Sequence, residues 1–180
     1  MDRKNVLKYS ILGFFVIAIL GTLLHFAYHF LEKNLIVALF SAVNESVWEH
    51  VKIAVMPVFF WTIFEFCEMT YRPNNLWAAL LVKILTIMFL IITSFYIYTY
   101  ILGTHILWID IVIFYTSILV GQILGYKVAV SNKIAKEKEE IFKYITLFIF
   151  ILFIVFTFLP PRLDLFKDKT TNTYGVFELK

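Results

Sequence analysis

The sequence predicts an all-α, polytopic integral membrane helix bundle: about five transmembrane helices plus one short interfacial or re-entrant helix. Three observations predict it. Of 180 residues, 61% are hydrophobic and only 16% are charged, where a soluble domain is nearer half apolar and a quarter charged. The mean hydropathy is +0.84. Apolar runs of roughly 20 residues, enough to cross a hydrocarbon core of about 30 Å, recur along the chain.

The expected spans cover about 9–31, 47–71, 76–102, 105–130 and 141–159, all in one membrane domain, residues 1–180. Arg3, Lys4 and Lys8 flank the first. Its apolar run is too long for a signal peptide and no small-residue cleavage pattern follows, so it reads as a retained helix. His25 and His29 fall in its last two turns. Asn34 then interrupts the pattern, and 35–43 is apolar but too short to cross. That segment is interfacial or re-entrant.

The second span carries Pro57, which should kink it and free a carbonyl, and Glu65 and Glu68, expected to be solvated. The turn Arg72-Pro73-Asn74-Asn75 follows. In the third span Lys83 is expected to snorkel to the near interface, and Tyr96, Tyr98 and Tyr100 to form an aromatic belt. The fourth opens with His105, Trp108 and Asp110. Gly121 and Gly125 have the small-xxx-small spacing that admits a neighbouring helix, with Gln122 beside them. Lys133 to Glu140 reads as a charged helical loop. The fifth span ends at Pro160-Pro161, and 160–180 is a polar tail.

Placing the N-terminus inside and the C-terminus outside puts Arg3, Lys4, Lys8, Arg72, Lys127, Lys133, Lys136 and Lys138 on the cytoplasmic side, as the positive-inside rule requires. The net charge of +3 therefore reads as topology and not as a nucleic-acid surface. The expected location is a bacterial cell membrane, multi-pass, with the lipid bilayer as partner and a homo-oligomer left open. Cys67 is the single cysteine, which excludes an internal disulfide and a cysteine-based zinc site.

The same orientation gathers the chemistry at one face. His25, His29, His50 and His105 all fall at the extracytoplasmic side, with Glu45, Glu49 and Asp110 at the same level. His25 and His29, at i and i+4, share a helical face. Two such histidines can ligate zinc or another divalent metal, a third ligand coming from His50, Glu49, His105 or Asp110. A carboxylate among Glu45, Glu49 and Asp110 would then serve as base for a water held in the open position. A structural reading stands beside this one. Ser46-Val47-Trp48-Glu49 is a capping box, Lys52 sits at i+3 to neutralise Glu49, and Trp48 and Trp108 suit interface anchors.

The stretch from Leu39 to Lys52, with Asn44-Glu45-Ser46-Val47-Trp48-Glu49-His50 at its centre, resembles the signature of a family of small multi-pass bacterial membrane proteins of unknown function. A C-terminal pattern accompanies it: Pro160-Pro161-Arg162, Leu165-Phe166-Lys167-Asp168 and Thr173-Tyr174-Gly175. The resemblance implies a class and no chemistry. It also implies that polar string and tail form one unit, so that the tail folds back over the site. A fainter likeness is to membrane zinc hydrolases of the alkaline ceramidase type, which use histidines, a serine and an aspartate at helix ends but have seven spans.

Two functional expectations follow. The first is a metal-dependent membrane hydrolase acting on a lipid or other amphipathic substrate. The alternative is a small-molecule transporter, channel-like protein or membrane partner subunit without catalysis.

Overall fold

A computed structural model of the chain describes residues 3–68, 73, 75–131 and 136–176. Arg72 and Asn74 of the expected turn and Lys133 of the charged loop lie outside the described residues. The elements, in chain order, are α1 (Arg3–Phe30), α2 (Leu35–Ala38), α3 (Val47–Glu68), α4 (Leu76–Leu102), α5 (Leu107–Ala129), α6 (Lys136–Phe158) and a 3-10 turn (Asp164–Phe166). Five of these helices are long and apolar enough to cross a membrane. At 1.5 Å per residue they measure roughly 33–42 Å.

The boundaries follow local chemistry. Arg3, Lys4 and Lys8 belong to the first turns of α1 and do not precede it. Asn34 caps α2, its side chain accepting from the amides of Ile36 at 2.8 Å and Val37 at 3.4 Å. The expected 35–43 segment is helical only as far as Ala38. Part of the charged loop is continuous with α6. Its Glu139 is buried, and its carboxylate accepts from the amides of Trp77 at 2.9 Å and Ala78 at 3.2 Å. Those are free donors in the first turn of α4, where a carboxylate also complements the helix dipole.

α3 is the central helix. Of its span 67% is buried, against 17% for α6. Val51, Val55, Met56 and Val58 form a core with Ile17, Ile84, Ile87, Ile118 and Phe153 from the surrounding helices. Glycines set the closest approaches. A Cβ on Gly13 would lie 2.4 Å from Trp61 Nε1, and one on Gly21 would lie 2.8 Å from the carbonyl oxygen of Ile53. α3 continues through Pro57. Proline has no N–H for the carbonyl four residues earlier, which is that of Ile53, and α1 presses its glycine there. The expected seam on α5 is present: a Cβ on Gly121 would meet Ile87 Cγ1 at 2.8 Å, and one on Gly125 would meet Lys83 Cγ at 2.3 Å.

Gly125 bears on a correction. Lys83 does not snorkel and Glu65 is not solvated; they are 5% and 3% exposed and form an ion pair at 3.4 Å. The missing Cβ on α5 leaves room for the lysine stem. Trp61 Nε1 donates to the same carboxylate at 2.9 Å, so the buried charge is partnered. Glu68 and Cys67 are exposed. Trp48 also departs from expectation. It is 6% exposed, stacked on Phe153 at 4.6 Å and packed on Phe166 at 4.8 Å. Trp108 is 74% exposed. Tyr98 does not merely line a belt, because its hydroxyl donates to Asp110.

Candidate functional site

The polar string between α2 and α3 is built by its own side chains. Asn44 Oδ1 accepts from the amide of Ser46 at 3.0 Å. Ser46 Oγ accepts from the amide of Glu49 at 3.3 Å, which caps α3. Half of the expected capping box is therefore present. Glu49 does not return to the Ser46 amide; its carboxylate accepts from the amide of Val43 at 2.9 Å and pairs with Lys52 at 2.6 Å. Lys52 is completely buried. It also donates to the carbonyl of Ala38 at 3.0 Å and to Thr157 Oγ1 at 2.9 Å. An ammonium has three protons to donate, and here one each goes to α3, α2 and α6.

The tail folds back onto this string. Phe166, from the 3-10 turn, is buried against Trp48 and Phe156. Val176 N donates to the carbonyl of Thr157 at 3.1 Å, and Asn44 Nδ2 to that of Gly175 at 3.5 Å. Gly175 has φ +58°, and a Cβ there would lie 2.9 Å from Pro160 Cδ. Asp168 joins the two segments. One carboxylate oxygen accepts from the amides of Thr170 at 2.7 Å and Thr171 at 3.3 Å. The other accepts from the amide of Glu45 at 3.4 Å. Burial alone would push the Asp168 carboxyl up. The hydrogen bonds from Thr170, Thr171 and Glu45 outweigh it and hold the group below its ordinary value.

Beneath the tail, His25 of α1 meets the start of α3. Donor atoms of His25, Glu45 and His50 lie within 4.8 Å of one another. The His25 and His50 rings are 5.2 Å apart, centroid to centroid. His50 Nδ1 is 2.9 Å from the carbonyl of Ser46, an acceptor that calls for the proton on Nδ1, so that in the neutral ring Nε2 carries the lone pair. Nε2 lies 3.5 Å from Glu45 Oε2. Tetrahedral bonds of about 2.1 Å put neighbouring ligand atoms about 3.4 Å apart. His25 Nδ1 is buried and without a hydrogen-bond partner. This donor set, two imidazoles and one carboxylate, suits a divalent cation such as zinc and leaves a coordination position open.

A cavity of about 190 Å³ adjoins the three residues and is lined also by His105, Asp110, Lys167, Lys169 and Thr170. Its apolar wall is Ile91, Phe95, Leu107, Ile113 and Phe114. His105 Nδ1 lies 3.7 Å from Asp110 Oδ2. Of the seven residues expected from sequence, five thus line one cavity. His29 does not: it is exposed, its ring edge-on to Tyr28 at 5.6 Å. Glu49 does not either, because Lys52 and the Val43 amide occupy it. Lys167 and Lys169 escaped sequence reasoning as site residues; Lys167 and Asp168 fall in the tail pattern expected to fold back over the site, and Lys169 lies just beyond it.

A family model described as "Family of unknown function (DUF6512)" matches residues 1–176. No curated protein and no solved structure matches.

Proposed function

Because the chain belongs to the DUF6512 family, whose function is unknown, we propose a role from the site alone: a metal-dependent membrane hydrolase acting on an amphipathic ester. One observation carries the reading. One ligand atom from each of His25, Glu45 and His50, from two separate helices and the loop between them, converges within 4.8 Å, and His25 also carries a buried Nδ1 with no hydrogen-bond partner among the described residues.

A divalent ion there would supply a Lewis acid and lower the pKa of a bound water toward neutrality. The chain's own groups supply the rest. The Ser46 carbonyl fixes the His50 tautomer. Asp168 holds the backbone of Glu45. Asp110, oriented by the Tyr98 hydroxyl and facing His105, is the base: it takes the proton of the attacking water and returns it to the leaving alcohol. Glu45 serves as ligand, and Glu49 as the structural anchor of the string. Under the charge-bias topology the site opens to the extracytoplasmic leaflet.

The test is the metal content of detergent-purified protein by elemental analysis, together with His25→Ala, His50→Ala, Glu45→Gln and His29→Ala variants. Near-stoichiometric zinc or another divalent metal is expected in wild type and in His29→Ala, and its loss in the other three. Wild-type protein that stays metal-free after add-back would overturn the reading. Hydrolysis of a short-chain amphipathic ester, abolished in Asp110→Asn with metal retained, would separate catalysis from binding.

A further inference from the structure

The cavity carries more charge than the metal site uses. Its carboxylates are Glu45 and Asp110 and its ammonium groups are Lys167 and Lys169. These balance, so a divalent ion at His25, Glu45 and His50 leaves a net charge of about +2 with every histidine neutral. Neither lysine forms an ion pair among the described residues. Both flank Asp168, whose hydrogen bonds to Thr170, Thr171 and Glu45 fix the turn between them. Lys169 lies over the Phe95 ring at 5.7 Å.

The cavity also adjoins a largely apolar groove. A groove along the last turns of α4, lined by Tyr96, Ile97, Thr99, Tyr100 and Ile101, shares Phe95, His105 and Lys169 with the cavity. Ile97 and Ile101 are 61% and 72% exposed, on a helix long and apolar enough to cross a membrane. Positive charge at one end and lipid-facing hydrocarbon at the other describe the complement of one kind of molecule.

We infer that the substrate is an amphiphile with an anionic headgroup: Lys167 and Lys169 receive the headgroup, and the alkyl chain leaves along the α4 groove past Phe95 and Ile97. The inference rests on the proposed metal site for its excess of positive charge. The tail lysines are specificity residues; they hold the headgroup and take no part in bond cleavage.

The probe is hexadecyl phosphate carrying a fluorophore on its chain, titrated into the full-length protein in a non-ionic detergent. Comparisons are hexadecylphosphocholine with the same fluorophore, and competition by inorganic phosphate. Wild-type protein should prefer the anionic headgroup about tenfold, the factor that a single charge-assisted contact sustains. Lys167→Gln/Lys169→Gln should erase that preference, and Lys167→Arg/Lys169→Arg should keep it. Ile97→Trp should weaken the hexadecyl probe and leave butyl phosphate unaffected.

Equal binding of both headgroups would overturn the inference, as would a preference that survives the glutamine variant. Inorganic phosphate that competes at the same concentration as hexadecyl phosphate would also overturn it, because the chain would then add nothing. Metal content measured on the same preparation keeps the two claims apart. Metal without headgroup preference defeats only this inference; headgroup preference in metal-free protein defeats the metal site and the charge excess drawn from it, and supports the two lysines as the headgroup contacts.

Discussion

At the residue scale Lys52 heads the fully buried side chains among the described residues. It is fully buried, and its acceptors are a carboxylate, a carbonyl and a hydroxyl on three different elements. Replacing it with methionine leaves Glu49 charged and buried, so Lys52→Met should destabilise the fold by about 3–5 kcal/mol. Adding Glu49→Gln removes the stranded charge and should recover part of that loss. Thermal unfolding in detergent measures both, and a double variant no better than the single would show that the pair is not what Lys52 contributes. The sequence hinted at this contact, because Glu49 and Lys52 are spaced i, i+3. The burial was hidden, since it depends on Ala38 and Thr157, and Thr157 is 105 residues away. The same limit applies to the histidines. Spacing along a helix suggested His25 with His29, whereas packing between helices paired His25 with His50.

At the element scale, helix approach is set by missing side chains. Gly13 and Gly21 bring α1 onto α3, and Gly125 makes room for Lys83. Gly21→Leu would force a side chain against the Ile53 carbonyl and Phe114. We expect a cost of about 1–3 kcal/mol, together with weaker metal retention, because α1 carries His25. Elemental analysis beside a melting curve tests this: lowered stability with full metal content would mean that the helix moves without moving the imidazole. All five long helices could be read from hydrophobic run length alone, because lipid-facing and core-facing residues are both apolar. Depth and partnering could not. Glu65 and Lys83 looked like end-of-span charges, and only the packing of α5 against α4 showed them buried together.

At the scale of the whole molecule, the tail and the polar string are one structure. Asp168 is the joint, and its carboxyl is held below its ordinary value in the folded protein. A depressed carboxyl contributes stability that is fully present above the unfolded-state value of about 3.9 and lost as pH falls through the folded one. Acidification below about pH 4 should therefore release the tail, read as faster hydrogen exchange over 164–176, while Asp168→Asn should weaken docking at neutral pH and flatten that dependence. Unchanged exchange in both cases would remove Asp168 as the joint. The family resemblance, now matched across residues 1–176, pointed to this union of string and tail. Its physical content, an aspartate bonding to the backbone of Glu45, was out of reach of any pattern along the chain.

The joint also orders events during synthesis. Glu45 and Asp168 are 123 residues apart, and α3, α4, α5 and α6 lie between them. At ribosomal rates of about 5–20 residues per second, the polar string waits on the order of ten seconds for the segment that fixes it. Through that interval the nascent chain gains α3 to α6 one by one, and even with all of them made it lacks the tail lysines and the aspartate that holds Glu45. A ribosome-bound intermediate thus lacks one wall of the cavity, and the headgroup pocket proposed above can be complete only when translation has passed the last helix.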